Sequence, residues 1–576
     1  MNWINRFLNK RFLTLFLISV LCLLMMHWQL AATIDYEYRI KKITLISNFF
    51  ACIVDATCFF FIGMLFTRYR TKGALLIAFI ISFIVSFCNI IYSRFFAHYL
   101  PNTALIQISN LNDYEVIQSI LTGFKIHDLY FIPLIFLFAI LYLKTEAVTL
   151  KTNILRTLGI LWGAMFTIVF SIILVIPMCS NTTLEWSMYE FFPVRAQYNM
   201  APNTMLLRGG FVRRAFLCYE DFFYKELKLD NSQKKEIECE YTNFAYRVTT
   251  PTIEKNVKNV IFIVVESYLA ASSDLKVDGK EITPFPNSLK SDSSVYYNGN
   301  MLCDINLGES SDGQFIYMSG LLPLNSEITV NVVKGKTIYG LPKLLVDSGR
   351  IKHSHIIVPT SPTFWEQDAM CNVYGIERLY SKYDCKTEAK GNKDLTDEQI
   401  FLMASQIDTT IQEPFFSMIL TMSMHSPYDK HVEHGFTLSD ATIPPEYRNY
   451  LIDCNYFDSQ LRKYIKALKQ KGIFGNSLII ITADHDAHPS FLGMEKGDIS
   501  DYLPLYIING GIDKTRGWTG ECHQLDVYTT LLDILGIDCK WRGLGHTLLR
   551  PDYQSVSLEK AQTLSDRIIR SNYFHD

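Results

Sequence analysis

The chain has 576 residues and a formal net charge of −3, long enough for two or more domains. It carries no basic cluster of the kind that neutralises nucleic-acid phosphates, so nucleic acid is excluded as a partner. Its thirteen cysteines show no C-x-x-C pair and no zinc-ribbon spacing.

Hydrophobicity is concentrated at the N-terminal end. Five apolar stretches approach the length of about 20 residues that a bilayer requires: 12–32, 44–66, 74–92, 129–143 and 154–178. A cleaved signal peptide is the rival reading of the first; four further spans and the lack of a small-residue cleavage site after it argue against that. Positive charge orients the set. Arg6, Lys10 and Arg11 precede the first span, Arg68, Arg70 and Lys72 fill the loop after the second, and Lys144, Lys151 and Arg156 lie between the fourth and fifth. All three groups fall on one side if the N-terminus is cytoplasmic. The opposite loop also holds Arg39, Lys41 and Lys42, but Asp35 and Glu37 accompany them. Residues 1–178 are thus expected to be a five-span all-α anchor in a cytoplasmic membrane, with everything beyond it extracytoplasmic.

Residues 179–256 read as a helical, membrane-proximal connector rich in aromatic and charged residues. Stretch 213–227 mixes bulky and charged side chains at near-helical spacing, which fits either the membrane surface or packing on the outer domain. From about residue 257 short β-rich runs alternate with helical ones. Strands are expected at 260–265, 355–358, 415–421, 478–482 and 504–508, and helices at 338–348, 395–412, 445–471 and 526–535. Such alternation predicts an α/β domain, 257–576, with a mostly parallel sheet between helices. Nine cysteines lie in the segment placed outside the membrane, where disulfides are permitted; Cys371–Cys385 and Cys522–Cys539 are candidate pairs.

Chemistry collects where apolar strands end. The run N-V-I-F-I-V-V ends in Glu266, and L-I-I-I-T runs into Asp484-His485, with Asp486 and His488 behind. In open α/β sheets ligands gather outside the carboxyl ends of the strands. Between these segments, L-G-E-S-S-D-G at 307–313 sets Ser310 and Ser311 in a Gly-bounded turn. A serine hydroxyl is inert at its own pKa, but a divalent cation on Glu266, Asp484 and His485 would activate it and stabilise phosphoryl charge. Imidazole and carboxylate ligands suit zinc or manganese, with magnesium also possible.

These stretches, with P-F-P-N-S-L at 284–289, F-W-E-Q-D at 364–368, M-H-S-P-Y at 424–428 and H-Q-L-D-V-Y-T-T-L-L-D-I-L-G-I at 523–537, resemble the lipoteichoic acid synthase type of the alkaline phosphatase/sulfatase superfamily. The resemblance implies that Glu266, Ser310, Asp484 and His485 hold the metal and that Ser310, usually threonine there, is the nucleophile. It further implies that His425 contacts the substrate phosphate and that Trp365 lines the headgroup pocket, core packing being the alternative for Trp365. Choosing Ser310 over Ser311 rests on this alignment. Gln367 stands where the glycerophosphate-type enzymes have an arginine, and Val358 roughly where they have a histidine, which leaves the headgroup open. No C/S-x-P/A-x-R context surrounds Ser310, so formylglycine formation and sulfatase activity are not expected. The implied reaction moves phosphoglycerol or phosphoethanolamine from a phospholipid to an envelope glycan or lipid through a phospho-serine. The alternatives are a phosphodiesterase of the same fold and a catalytically idle membrane receptor or scaffold.

Overall fold

The structure, a computed structural model, describes residues 10–33, 42–96, 100, 123–146, 206, 209–217, 227–242 and 257–574, apart from 326, 363, 387–393, 427, 429–433, 496, 513–516 and 551. Two compact units share the chain, the first holding its N-terminal helices and the second residues 225–576.

In the first unit, helices α1 (Lys10–Thr33), α2 (Lys42–Phe66), α3 (Thr71–Phe96) and α4 (Phe131–Leu143) follow the first four expected spans. A 3-10 turn, Ile126–Tyr130, extends the short fourth one to 18 residues. The described residues thus hold four helices apolar and long enough to cross a membrane; the fifth expected span, 154–178, lies outside them. Leu13, Leu17 and Leu21 leave an exposed stripe at four-residue spacing, the side a helix turns to lipid. Inside, Phe79 stacks on Phe138 at 4.0 Å. A Cβ at Gly63 would strike the Ala74 backbone, so α2 and α3 meet closely through a small residue. The buried Asp55 of α2 accepts from the backbone N–H groups of Phe211 (2.6 Å) and Val212 (2.9 Å) at the start of α5 (Phe211–Leu217).

The second unit opens with α6 (Asn231–Thr242), which packs on the outer domain: Arg567 forks onto the Glu240 carboxylate at 2.8 Å, and Tyr241 stacks on Trp541. The sheet has eight strands: β1 (Asn259–Val265), β2 (Val295–Leu302), β3 (His353–Ile357), β4 (Arg378–Tyr380), β5 (Phe415–Leu420), β6 (Ser477–Ala483), β7 (Leu503–Ile508) and β8 (Cys522–His523). Their order is β8-β2-β7-β6-β1-β5-β3-β4. All pairings are parallel except those of β7, which runs against both neighbours. Every residue of β1, β5, β6 and β7 is buried, as expected for strands covered on both faces.

Seven further helices matter here: α7 (Ser310–Ser319), α8 (Leu341–Asp347), α9 (Gln367–Tyr374), α10 (Asp397–Asp408), α11 (Pro445–Gln470), α12 (Leu525–Leu535) and α13 (Leu558–Ile569). Thr396 and Gln399 form a capping box at the start of α10. Pleat alternation separates the layers. Ile261, Ser417 and His355 share one face, where Ser417 and His355 meet Asp408 of α10; Phe262 points the other way, onto Tyr317 of α7. The result is an alkaline phosphatase-like mixed sheet between helices.

Two expectations are corrected. The turn carrying Ser310 and Ser311 is the first turn of α7, because residues 311–319 are buried under the sheet and burial favours the conformation that satisfies its own backbone. Neither Cys371–Cys385 nor Cys522–Cys539 is a disulfide. Cys371 is buried within α9, and Cys522 is fixed in β8, where its sulfur meets the Asn298 amide at 3.4 Å.

Candidate active site

Parallel strands end at one level, and that register assembles the site. Val265 of β1 pairs with Ala483 of β6, so the next residues on each, Glu266 and Asp484, emerge side by side. The Ser267 amide donates to Asp484 Oδ1 (2.9 Å), and the Ser267 hydroxyl donates to Glu266 Oε1 (2.7 Å), tying the two strand ends together. His485 Nδ1 is 2.8 Å from the Asp486 carbonyl, a contact that fixes the ring and leaves Nε2 facing the carboxylates. Nε2 lies 3.4 Å from Glu266 Oε1 and 3.7 Å from Asp484 Oδ2.

Ser310 joins from α7. Its Oγ is 3.3 Å from Glu266 Oε2 and 3.3 Å from His485 Nε2. Ser311 points away, its hydroxyl donating to the Gly308 carbonyl at 2.6 Å. The backbone beside both segments is strained: Ser267 has φ +51° and Glu309, the residue before α7, φ +44°, left-handed values that cost non-glycine residues on the order of 1–3 kcal/mol each. Glycines seat α7. A Cβ at Gly308 would overlap the Asp312 carboxylate, and one at Gly313 would run into the Asp484 carbonyl. Asp312 closes the loop by accepting from the Asn306 and Gly308 amides at 3.0 and 2.8 Å; burial pushes its carboxyl up to about 7.

Electrostatics fit a cation. Burial, reinforced by the neighbouring Glu266 carboxylate, pushes Asp484 up to about 6. Burial opposes charge on His485 as well, but Asp484, Glu266 and Glu309 together outweigh it and push the imidazole up to about 10. Negative charge thus exceeds what the side chains themselves neutralise. One ligand atom each from Glu266, Asp484 and His485 lies within 4.8 Å of the others, all three residues being buried. That is close to the span of about 4 Å that metal–ligand distances near 2.0–2.2 Å allow. Two carboxylates, an imidazole and a hydroxyl form a donor set that suits a divalent cation.

The other expected residues are placed as follows. His425 lies half-buried on the turn after β5, with Nδ1 2.6 Å from the Ser426 carbonyl. Trp365 is half-buried in a 3-10 turn, Phe364–Glu366, at φ +50°, outside the core. Gln367 is buried at the start of α9 and gives its amide N–H to Gln314 Oε1 of α7 at 3.0 Å. Asp486 contributes its carbonyl to His485, and His488 pairs with Glu309 at 3.3 Å.

Sequence reading missed two supports. Gln524 is fully buried and donates to the Asp484 carbonyl (2.7 Å) and to the Tyr317 hydroxyl (3.0 Å), while its own carbonyl accepts from the Asp304 amide (2.7 Å). Tyr317 in turn donates to the Ala483 carbonyl at 2.6 Å. The polar Gln524 at the head of an apolar helix was the available signal.

The Sulfatase family model matches residues 258–537, the sheet and site just described. The outer domain is therefore sulfatase-like. The Lipoteichoic acid synthase N-terminal domain model matches residues 1–188. Lipoteichoic acid synthase 2 of Bacillus subtilis is 25% identical over 595 residues, covering 96% of this chain and 85% of that protein. Lipoteichoic acid synthase of Staphylococcus aureus is 26% identical over 536 residues, covering 88% and 79%. Among solved structures, the lipoteichoic acid synthase LtaP of Listeria monocytogenes superposes with a TM-score of 0.49 at 16% identity, over 58% of this chain and 98% of that one. The chain is lipoteichoic acid synthase-like, and its relatives support a phosphotransferase rather than a sulfatase. With the apolar helices, they support a membrane protein with an extracellular catalytic domain.

Proposed function

We propose that this chain is a multi-pass phosphotransferase of the bacterial cytoplasmic membrane that moves a phosphoglycerol or phosphoethanolamine headgroup from a phospholipid to a hydroxyl of an envelope glycan or lipid. Glu266, Asp484, His485 and Ser310 would hold one divalent cation, manganese or zinc with magnesium as a further candidate, which supplies Lewis acidity to the nucleophile and to the phosphoryl oxygens. Ser310 Oγ attacks the headgroup phosphorus; the Oγ–P bond forms as the bond to diacylglycerol breaks, and the serine proton ends on the diacylglycerol oxygen. The acceptor hydroxyl then displaces Ser310 from phosphorus and returns a proton to it. His425 orients the phosphate and Trp365 borders the headgroup. Gln367 stands where a guanidinium would grip the phosphate bidentately; its amide is already engaged by Gln314, so it acts through α7 rather than by charge.

The observation carrying this reading is the divergence of the two serines: Ser310 Oγ reaches both Glu266 and His485, whereas Ser311 turns to its own backbone. The test is mass spectrometry of the full-length protein after incubation with phosphatidylglycerol or, separately, phosphatidylethanolamine. A phosphoglycerol or phosphoethanolamine mass on the peptide containing Ser310 is expected, and its size names the donor. No adduct from either lipid, or an adduct that persists in Ser310→Ala, would overturn the assignment.

A further inference from the structure

A cleft of about 510 Å³ lies at the β4 edge of the sheet, between the β3–β4 face and the C-terminal half of α10. That volume falls within the range of about 300–1,000 Å³ typical of small-molecule sites. It is separate from the cation cluster. His355, in its wall, is level in register with Ser417 and Ile261, and Ile261 stands five residues before Glu266. At about 3.3 Å per residue along the strand and about 4.8 Å per strand across, the two sites lie roughly 20 Å apart.

The lining has a particular character. Arg378 and Lys386 are set against Glu377 and Asp384, so the formal charges cancel. An anion such as phosphate would meet two carboxylates as well as two cations, whereas a hydroxyl both donates and accepts and can use every one of these groups. The same wall offers an amide, Gln406, and the Tyr380 ring, over which the Arg378 guanidinium sits at 4.4 Å. Ile407 and Ile411 supply an apolar strip, suited to the C–H face of a pyranose ring. His355 anchors the floor of the wall. Its Nε2 is held 2.7 Å from Asp408 Oδ1, and Asp408 also accepts from the Tyr464 hydroxyl at 2.6 Å and the Ser417 hydroxyl at 3.2 Å. The other ring nitrogen, Nδ1, is buried and has no hydrogen-bond partner among the described residues.

We infer that this cleft is a carbohydrate-binding site for an uncharged mono- or disaccharide unit, distinct from the site of phosphoryl transfer. Its test uses the full-length protein in a sugar-free zwitterionic detergent, since glycoside detergents would compete. Saturation-transfer NMR is recorded with D-glucose, D-galactose, N-acetyl-D-glucosamine and maltose, and calorimetry with inorganic phosphate. At least one saccharide should give a saturable signal while phosphate gives no heat from this cleft. Thr410→Trp, which fills the cleft from the exposed turn after α10, and Arg378→Ala, on the opposite wall, should each weaken that saccharide at least tenfold without lowering the melting temperature appreciably. Ser310→Ala should leave binding unchanged, which separates this inference from the proposed reaction. Absence of signal from all four sugars would overturn it. So would phosphate binding abolished by Arg378→Ala, or sugar binding indifferent to both cleft variants.

Discussion

The middle of the outer sheet and its β4 edge are built on opposite terms. In the middle, β1, β5 and β6 are largely apolar and buried along their whole length, and β1 and β6 end in charged groups at one level. At the edge, β4 has three residues, none fully buried, and the charged side chains around it line an open cleft. A rigid, doubly covered centre holds reacting groups to within tenths of an ångström, whereas a short, polar edge suits reversible binding and resists pairing with other chains. Damage at the centre should therefore be catastrophic and specific, and damage at the edge slight.

The largest effect is expected at Ser310. Ser310→Ala should lower headgroup transfer by about four orders of magnitude or more, the scale seen when a nucleophile is removed, with unchanged folding, and Ser310→Thr should restore much of it. A radiolabelled-lipid transfer assay measures both; substantial activity in the alanine variant would place the nucleophile elsewhere. Asp484→Ala should next empty the cluster of cation, read by elemental analysis of purified protein, and metal content equal to wild type would refute the ligand assignment. Gly313→Ala should cost about 3 kcal/mol through overpacking against the Asp484 carbonyl, visible as a lower melting temperature together with lost transfer. Ser311→Ala removes one internal hydrogen bond worth about 1 kcal/mol, so transfer should fall less than tenfold; a loss as deep as that of Ser310→Ala would exchange the two serines' roles. At the edge, Arg378→Ala gives up a cation–π contact worth about 0.5–1 kcal/mol. It should leave transfer at the wild-type rate, and a large loss of transfer would show that centre and edge are not independent.

The same contrast explains what could be read from the chain beforehand. Strands covered on both faces must be largely apolar runs, so β1, β5, β6 and β7 stand out, as do the helices long enough for a bilayer. The strand β8, Cys522–His523, has two residues and exists because Met301 and Leu302 offer it a partner; no local pattern encodes that. The helix α7 was legible as a special segment but not as a helix. Its S-S-D-G-Q start has turn composition, and the glycine that spoils helix propensity is the one that lets it approach Asp484. Glu266 and Asp484-His485 were visible because charge after a buried strand is unusual. Gln524 and Tyr317 were not, since their partners are backbone carbonyls brought near only by the fold.

The register of β1 also sets a clock. Its partners lie far down the chain: Val260 pairs with Phe416, 156 positions later, and Asn259 with Ser477, 218 positions later. Contacts of such separation form slowly because a long loop must close before they are rewarded. At synthesis rates of about 5–20 residues per second, β1 waits roughly 10–45 s after it is made before β6 follows it. During that interval one side of an aliphatic strand has no neighbour. The proposed cation site, which would take Glu266 from the start of this interval and Asp484-His485 from just after its end, would then be completed late, and a chain halted before residue 477 would present an open strand edge to its surroundings.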